Sequence, residues 1–260
     1  MCAEPPSKRV QIAVRDLHKS YGDNRVLRGV ELDLERGRRN IIIGGSGAGK
    51  TVLMRHIVVL ERPDRGRILL DGREISVLGE AQLTGVRRKF GMVFQGAALF
   101  DSMTVFDNVA FPLREQKGIG RREIRERVMA KLEALDVADA AGRMPSDISG
   151  GMKKRVGVAR ALVGEPEILI YDEPTAGLDP LASRNVDRLI LDTDARFDVT
   201  SIVITHDMTS CIEVGERVSM LHEGKIRVSC TPRELLETDD PAVRGFIAAS
   251  GVRQPEIGAP

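Results

Sequence analysis

Apolar and polar residues alternate at Val10, Ile12 and Val14 and again at Leu32 and Leu34, and the stretch Arg67-Ile68-Leu69-Leu70-Asp71-Gly72 closes on a turn signal. A period of two predicts strands with one solvated face, so a largely antiparallel sheet is expected in this part of the chain. Other runs are apolar at every position: Ile41-Ile42-Ile43, Ile168-Leu169-Ile170-Tyr171 and Ile202-Val203-Ile204. The last two are expected to be parallel strands covered on both faces. Leu53, Met54, Ile57 and Leu60 fall at helical spacing until Pro63-Asp64-Arg65-Gly66 interrupts the pattern. From Gln95 to about Glu165 the pattern is mostly helical. There Arg121 to Lys131 reads as a solvated face, and Val128, Leu132 and Leu135 as its buried side. This predicts an inserted helical subdomain, and Arg244 onward reads as a terminal helix with a loose tail.

The chemistry sits where these elements meet. Gly44-Gly45-Ser46-Gly47-Ala48-Gly49-Lys50-Thr51 follows an apolar strand and opens a helix. Glycines let backbone N–H groups curl round an anion, and the helix presents its positive end. Lys50 reaches the terminal phosphates, and Thr51 offers a hydroxyl to Mg²⁺. A nucleoside triphosphate is the expected ligand. Asp172-Glu173 ends the second apolar run, at the strand end where open α/β sheets bind ligands. Asp172 suits a Mg²⁺ partner, and Glu173 is placed to polarise an attacking water. His206 ends the third run in Ile204-Thr205-His206-Asp207, a position from which an imidazole can contact the γ-phosphate or the water. Gln95, after Met92-Val93-Phe94, can offer its amide to Mg²⁺ or water. Ser149-Gly150-Gly151-Met152 opens the helix that continues through Val156, Ala159 and Leu162, a second anion-binding helix start.

Composition narrows the setting. The 260 residues are 42% hydrophobic, ordinary for a globular protein with a sizeable core, and 39 Lys plus Arg against 38 Asp plus Glu give no overall pull toward nucleic acid. Nucleic acid is therefore not an expected partner. Cys2, Cys211 and Cys230 are widely spaced without a CxxC pair, which suggests neither a disulfide framework nor a zinc site and fits a reducing cytoplasm. No apolar stretch is long enough to cross a bilayer, so docking on a membrane protein is the expected route to a membrane.

Taken in order, these motifs resemble those of the ATP-binding cassette (ABC) ATPases. Tyr21 resembles the aromatic that stacks on adenine, Gly44 to Thr51 the Walker A loop, Gln95 the Q-loop and Ser149 to Met152 the signature. Asp172-Glu173 resembles Walker B with its catalytic glutamate, Ala176-Gly177-Leu178-Asp179 the D-loop and His206 the switch histidine. The resemblance covers about residues 8–245. It implies an α/β P-loop NTPase fold with a RecA-like core and antiparallel β subdomain (about 8–94 and 165–245), a helical subdomain (about 95–164) and a C-terminal tail (246–260). It also implies ATP and Mg²⁺ as ligands, and an ATP sandwiched between Lys50 of one copy and Ser149 of another, hence a dimer.

Within that superfamily the segment Phe94 to Glu115, with Ser-Gly-Gly-Met at the signature, is similar to phospholipid-trafficking ATPases of the Mla type. That resemblance implies an integral membrane permease, an MCE-domain lipid-binding subunit, a small STAS-type subunit, and a peripheral location on the cytoplasmic face of the inner membrane. A soluble ABC ATPase of iron–sulfur assembly or DNA repair remains an alternative, although coiled-coil or zinc-hook insertions and a tandem second cassette are missing. An importer for another solute is a further alternative. Two departures from the general cassette pattern stand out. Met152 replaces the usual glutamine and leaves the Ser149 hydroxyl and glycine amides in place. Val52 removes a hydroxyl contact to the α-phosphate, worth about 1.5–3 kcal/mol at most. Leu99, Phe100, Met103, Val105 and Phe106 form a stretch too apolar for a simple turn, suited either to the core or to a permease contact.

Overall fold

A computed structural model describes residues 10–116 and 118–252. Cys2, residue 8 at the expected start of the cassette and the last part of the tail, 253–260, lie outside the described residues. In chain order the elements are β1 (Val10–Tyr21), β2 (Asn24–Glu35), β3 (Arg39–Ile43), α1 (Lys50–Ile57), β4 (Arg65–Leu70), β5 (Arg73–Glu74), α2 (Glu80–Arg87), β6 (Phe90–Val93), α3 (Val105–Arg114), α4 (Arg121–Ala134), α5 (Gly150–Leu162), β7 (Ile168–Asp172), α6 (Pro180–Phe197), β8 (Thr200–Thr205), α7 (Met208–Val214), β9 (Arg217–His222), β10 (Lys225–Cys230), α8 (Pro232–Glu237) and α9 (Pro241–Ala249). They form two compact units, one running through Arg87 and resuming at Thr200, the other comprising Arg88–Val199.

In the first unit, alternation produces the expected antiparallel sheet, in the order β2-β1-β4-β5. Val14 lies opposite Leu32 on one side and Ile68 on the other, and Ile12 opposite Leu34 and Leu70. All six side chains are buried, so the apolar period sets the register and the charged positions between them face water. The all-apolar run of β3 pairs in parallel with both β8 and β9, placing Ile41 between Val203 and Val218. A strand flanked in this way needs apolar side chains on both faces, and Ile41, Ile42 and Ile43 are buried. Asn40 fixes the entry to β3: its side chain accepts from the Glu35 N–H at 2.9 Å and donates to the Glu35 and Arg38 carbonyls at 3.0 Å.

One sequence expectation fails in α1. Leu60 is not on the buried stripe with Leu53, Met54 and Ile57; it is 60% exposed. The helix stops at Ile57, and Val59 turns into the left-handed region at φ 51°, which rotates the next side chain off the helical face.

In the second unit, β6 pairs in parallel with β7, Phe90 opposite Ile168 through Val93 opposite Tyr171. Helices α3 to α6 belong to this unit, and α3, α4 and α5 fall within the stretch read as mostly helical. The first helix of that stretch, α3, begins at Val105. Residues 95–104 are a loop in which Ala97 and Ala98 adopt φ 66° and 44°. Arg160 on α5 holds that backbone, its guanidinium donating to the Ala98 carbonyl at 2.8 Å and the Ala97 carbonyl at 2.9 Å. The end of the loop is pinned by Asn108, fully buried on α3, which accepts from the Phe100 N–H at 2.8 Å and donates to the Phe100 and Met103 carbonyls at 3.0 and 3.1 Å. Of the apolar stretch after the loop, Val105 is core at 0% exposure, whereas Phe100 is 42% exposed.

Candidate nucleotide site

In the first unit the buried strand β3 delivers Gly44–Gly49 to the start of α1. Gly44 has no room for a side chain, because a Cβ there would lie 2.4 Å from the Leu221 carbonyl oxygen of β9. Gly49 is the N-cap of α1 at φ 101°, with no side chain capping the helix, so the first-turn N–H groups are left for a ligand. Lys50 is 8% exposed, and its ammonium folds over the loop, donating to the Gly44 carbonyl at 2.8 Å and the Gly45 carbonyl at 3.3 Å. Its positive charge is thus held at the start of the loop. Thr51 is exposed in the first turn of α1. An anion bounded by oriented N–H groups, a fixed ammonium and a free-standing hydroxyl is what this arrangement accommodates.

Tyr21 stands at the end of β1 with 44% of its surface exposed. Its hydroxyl donates to Glu61 at 2.6 Å, and the Lys19 ammonium lies 5.5 Å from the ring centre and 3.2 Å from Glu61. Partial burial and the Glu61 carboxylate push the phenol above its ordinary value, so it stays neutral. The polar end is anchored while the ring remains available for stacking. His206 follows β8 and is exposed. The next residue, Asp207, caps α7 by accepting from the Thr209 N–H at 2.8 Å, which fixes where β8 ends and the histidine emerges.

In the second unit, Gln95 is exposed in the turn after β6. Asp172 is the last residue of β7. Glu173 has φ 47° immediately before Pro174, an uncommon conformation for a side-chain-bearing residue that costs on the order of 1–3 kcal/mol. The turn that imposes it is braced: the Ala176 N–H donates back to the Glu173 carbonyl at 3.2 Å, and Lys154 on α5 donates to the Pro174 carbonyl at 2.8 Å. Burial lowers the Lys154 ammonium below its ordinary value. Ser149 caps α5, its hydroxyl accepting from the Met152 N–H at 3.3 Å. Gly150 and Gly151 are exposed, and a Cβ at either would meet nothing within 4 Å. Asp179 caps α6, accepting from the Leu181 and Ala182 N–H groups at 2.9 Å each, a role that motif reading alone does not suggest.

The predicted residues therefore divide into two sets. Tyr21, Gly44 to Thr51 and His206 belong to the first unit; Gln95, Ser149 to Gly151, Asp172, Glu173 and Asp179 belong to the second. The residues that hold these sets in shape, Glu61, Lys154 and Arg160, carry no motif signal. Each acts on a backbone or side chain distant in sequence. Among the described residues no cluster of three or more His, Cys, Asp or Glu side chains could by itself hold a metal ion.

A phosphate loop with its ammonium in place, followed by a carboxylate pair at a β-strand end, defines a P-loop nucleoside triphosphatase. Residues 27–176 match the ABC transporter family, and the chain belongs to that family as an ATP-hydrolysing cassette. Similar proteins include the "Probable ribonucleotide transport ATP-binding protein mkl" of Mycobacterium leprae (42% identical; 92% of this chain, 69% of that protein). Others are the "Methionine import ATP-binding protein MetN" of Bordetella avium (40%; 95% and 75%) and the "Intermembrane phospholipid transport system ATP-binding protein MlaF" of Escherichia coli K12 (37%; 91% and 88%). The chain spans about two thirds of the mycobacterial relatives' length. Among solved structures, cbiO1 of Clostridium perfringens, part of the ABC transporter complex cbiONQ, matches with TM-score 0.81 at 30% identity over 92% of this chain and 95% of that one. The ATP-binding cassette MJ0796, in a dimeric post-hydrolysis state bound to ADP and Pi, matches with TM-score 0.74 at 29% identity over 85% and 98%. The fold is accordingly that of an ABC ATPase.

Proposed function

We propose that this chain is the ATPase subunit of a phospholipid transporter acting between inner and outer membranes, working as an ATP-sandwich dimer beneath an integral permease. An MCE-domain lipid-binding subunit and a small STAS-type subunit complete the proposed assembly, with the ATPase peripheral on the cytoplasmic face of the inner membrane. In this reading Tyr21 stacks on adenine, the loop from Gly44 to Gly49 with Lys50 holds the phosphates, and Gln95 and His206 contact the γ-phosphate or the attacking water. Glu173 polarises that water. Asp179 contributes from the D-loop, and the cassette extends over about 8–245 with a helical subdomain at about 95–164.

Mg²⁺ fits the donors available. Thr51, Asp172 and Gln95 offer hard oxygen atoms in exposed or strand-end positions, and Mg²⁺ typically takes one or two protein ligands with the rest from phosphate and water. When bound, the ion neutralises charge on the β- and γ-phosphates during transfer. The observation that carries the dimer is the open signature: Ser149 caps α5 while Gly150 and Gly151 present bare backbone to solvent. Such an N–H lip serves a phosphate supplied by a second copy. Cycles of closure on ATP and reopening after hydrolysis would then drive the permease. Similarity to MlaF and the Phe94 to Glu115 segment favour phospholipid as cargo; the names of the mkl and MetN relatives make a ribonucleotide and methionine the competing cargoes.

The test is Glu173→Gln. ATP binding is expected to persist while hydrolysis slows by at least roughly two orders of magnitude, because only the water-polarising group is lost. The variant should elute as a dimer in Mg-ATP. Near wild-type turnover, or a monomer at saturating Mg-ATP, would refute the assignment. Reconstitution of the membrane complex in vesicles, with phospholipid and methionine offered in parallel, tests the cargo.

A further inference from the structure

Beside the signature helix, and sharing Gly150 and Gly151 with it, the second unit holds a cavity of about 400 Å³ whose remaining lining has no nucleotide role above. Its floor is a stripe of α6 and the preceding loop: Leu178, Ala182, Val186 and Leu189. The last two are nearly buried, at 7% and 9% exposure, and Leu178 is left 36% exposed. Residues 182, 186 and 189 follow the helical period, so they form one continuous apolar surface. Three cations, Lys154, Arg155 and Arg188, line the same cavity against one carboxylate, Asp192.

These cations are not equivalent. Arg155 is engaged with Asp136 at 3.1 Å. Lys154 donates to the neutral Pro174 carbonyl and pairs with no carboxylate among the described residues, so its charge is partly desolvated. A charge taken from water without an opposite charge is costly, and a bound anion would relieve that cost. The volume lies near the lower end of the roughly 300–1,000 Å³ typical of small-molecule pockets.

We propose that this cavity binds a small amphipathic anion, a single alkyl chain bearing a carboxylate or phosphate, with the chain along Leu178, Ala182, Val186 and Leu189 and the anion on Lys154 and Arg188. Free fatty acid and single-chain lipid phosphate share this chemistry. Gly150 and Gly151 also line the cavity, so occupancy would obstruct the lip at which a second copy's nucleotide is proposed to dock. That consequence rests on the sandwich reading, whereas binding itself does not. The site would make ATPase assembly responsive to the supply of single-chain lipid products.

Binding is measured on the full chain without nucleotide, by displacement of dansyl-undecanoate, so that failure of the site and failure of the sandwich remain separate. Decanoate or decyl phosphate is expected to compete saturably below its micellar concentration, and whichever competes more tightly identifies the source. Decanol is expected to be at least tenfold weaker, and inorganic phosphate to be without effect. Ala182→Trp, which fills the cavity, should abolish displacement, while Lys154→Met and Arg188→Ala each weaken it several-fold; unchanged melting establishes that each variant is folded. Arg188 is exposed, so its variant remains informative if Lys154→Met fails to fold. Equal affinity for decanol and decanoate, undiminished binding by Ala182→Trp, or no saturable binding would each overturn the proposal. If binding holds, a ligand-dependent loss of the Glu173→Gln dimer in Mg-ATP supports the regulatory consequence, and an unchanged dimer overturns that consequence alone.

Discussion

Gly44→Ala is the sharpest test of how the phosphate loop is built. A Cβ at this position falls 2.4 Å from the Leu221 carbonyl oxygen, and an ordinary carbon-to-oxygen approach is roughly 3.3 Å, so loop and strand must separate by about 1 Å. Neither side yields easily. Leu221 is fully buried in β9, and Ile43, the residue before Gly44, is paired with Met220 in the same ladder. Overpacking of this kind costs about 1–3 kcal/mol, which for a chain of this size corresponds to a melting temperature lower by about 2–12 °C. The displaced Gly44 carbonyl is also the 2.8 Å acceptor for Lys50, so ATP affinity is expected to fall at least tenfold. Gly45→Ala is the control: its Cβ would meet nothing within 4 Å and its backbone is not left-handed, so stability should change by less than about 0.5 kcal/mol. The chain has no tryptophan, so calorimetry or circular dichroism is the appropriate melting assay, with a fluorescent ATP analogue for affinity. Gly44→Ala with wild-type melting and affinity, or a Gly45→Ala variant equally damaged, would refute the steric argument.

Three further outcomes are expected. Lys50→Ala should remove turnover and weaken ATP binding strongly, measured by equilibrium titration, because its ammonium is the charge held over the loop. Ser149→Arg should leave ATP binding by the isolated monomer nearly unchanged while preventing dimerisation in Mg-ATP; a binding defect as large as that of Lys50→Ala would count against an in-trans signature. Phe100→Glu should fold and bind ATP normally yet fail to co-purify with its permease, since Phe100 is 42% exposed, with Phe111 at 5.1 Å and the Arg160 guanidinium at 5.8 Å from its ring. Val105→Glu, at a fully buried site, should instead fail to fold; assembly and transport by Phe100→Glu at wild-type levels would remove this surface from coupling.

The motifs were legible because each needs particular residue types at fixed spacing along a short stretch of backbone. Gly44 to Thr51 closes a loop on a helix start, and Ser149 with the two glycines opens another; both are local geometry. Alternation in β1 and β2 announced an antiparallel sheet for the same reason, since a period of two leaves one buried face. Leu60 was misplaced by periodicity, and the loop at residues 95–104 inside the mostly helical stretch was not resolved by it. In each case left-handed backbone ends or excludes a helix, and at Ala97 and Ala98 the cause is a guanidinium more than sixty positions along the chain.

The sequence by itself thus determined the family and the nucleotide class, which depend on covalent order and residue chemistry. Only the tertiary structure decided which groups are held and by what: Glu61 anchoring Tyr21, Lys154 bracing the Glu173 turn, Asp179 turned to capping α6, Leu221 excluding a side chain at Gly44, and a cavity left between α5 and α6. These depend on distances between residues remote in the chain. Such distances follow from how whole strands and helices pack, and no local pattern encodes them.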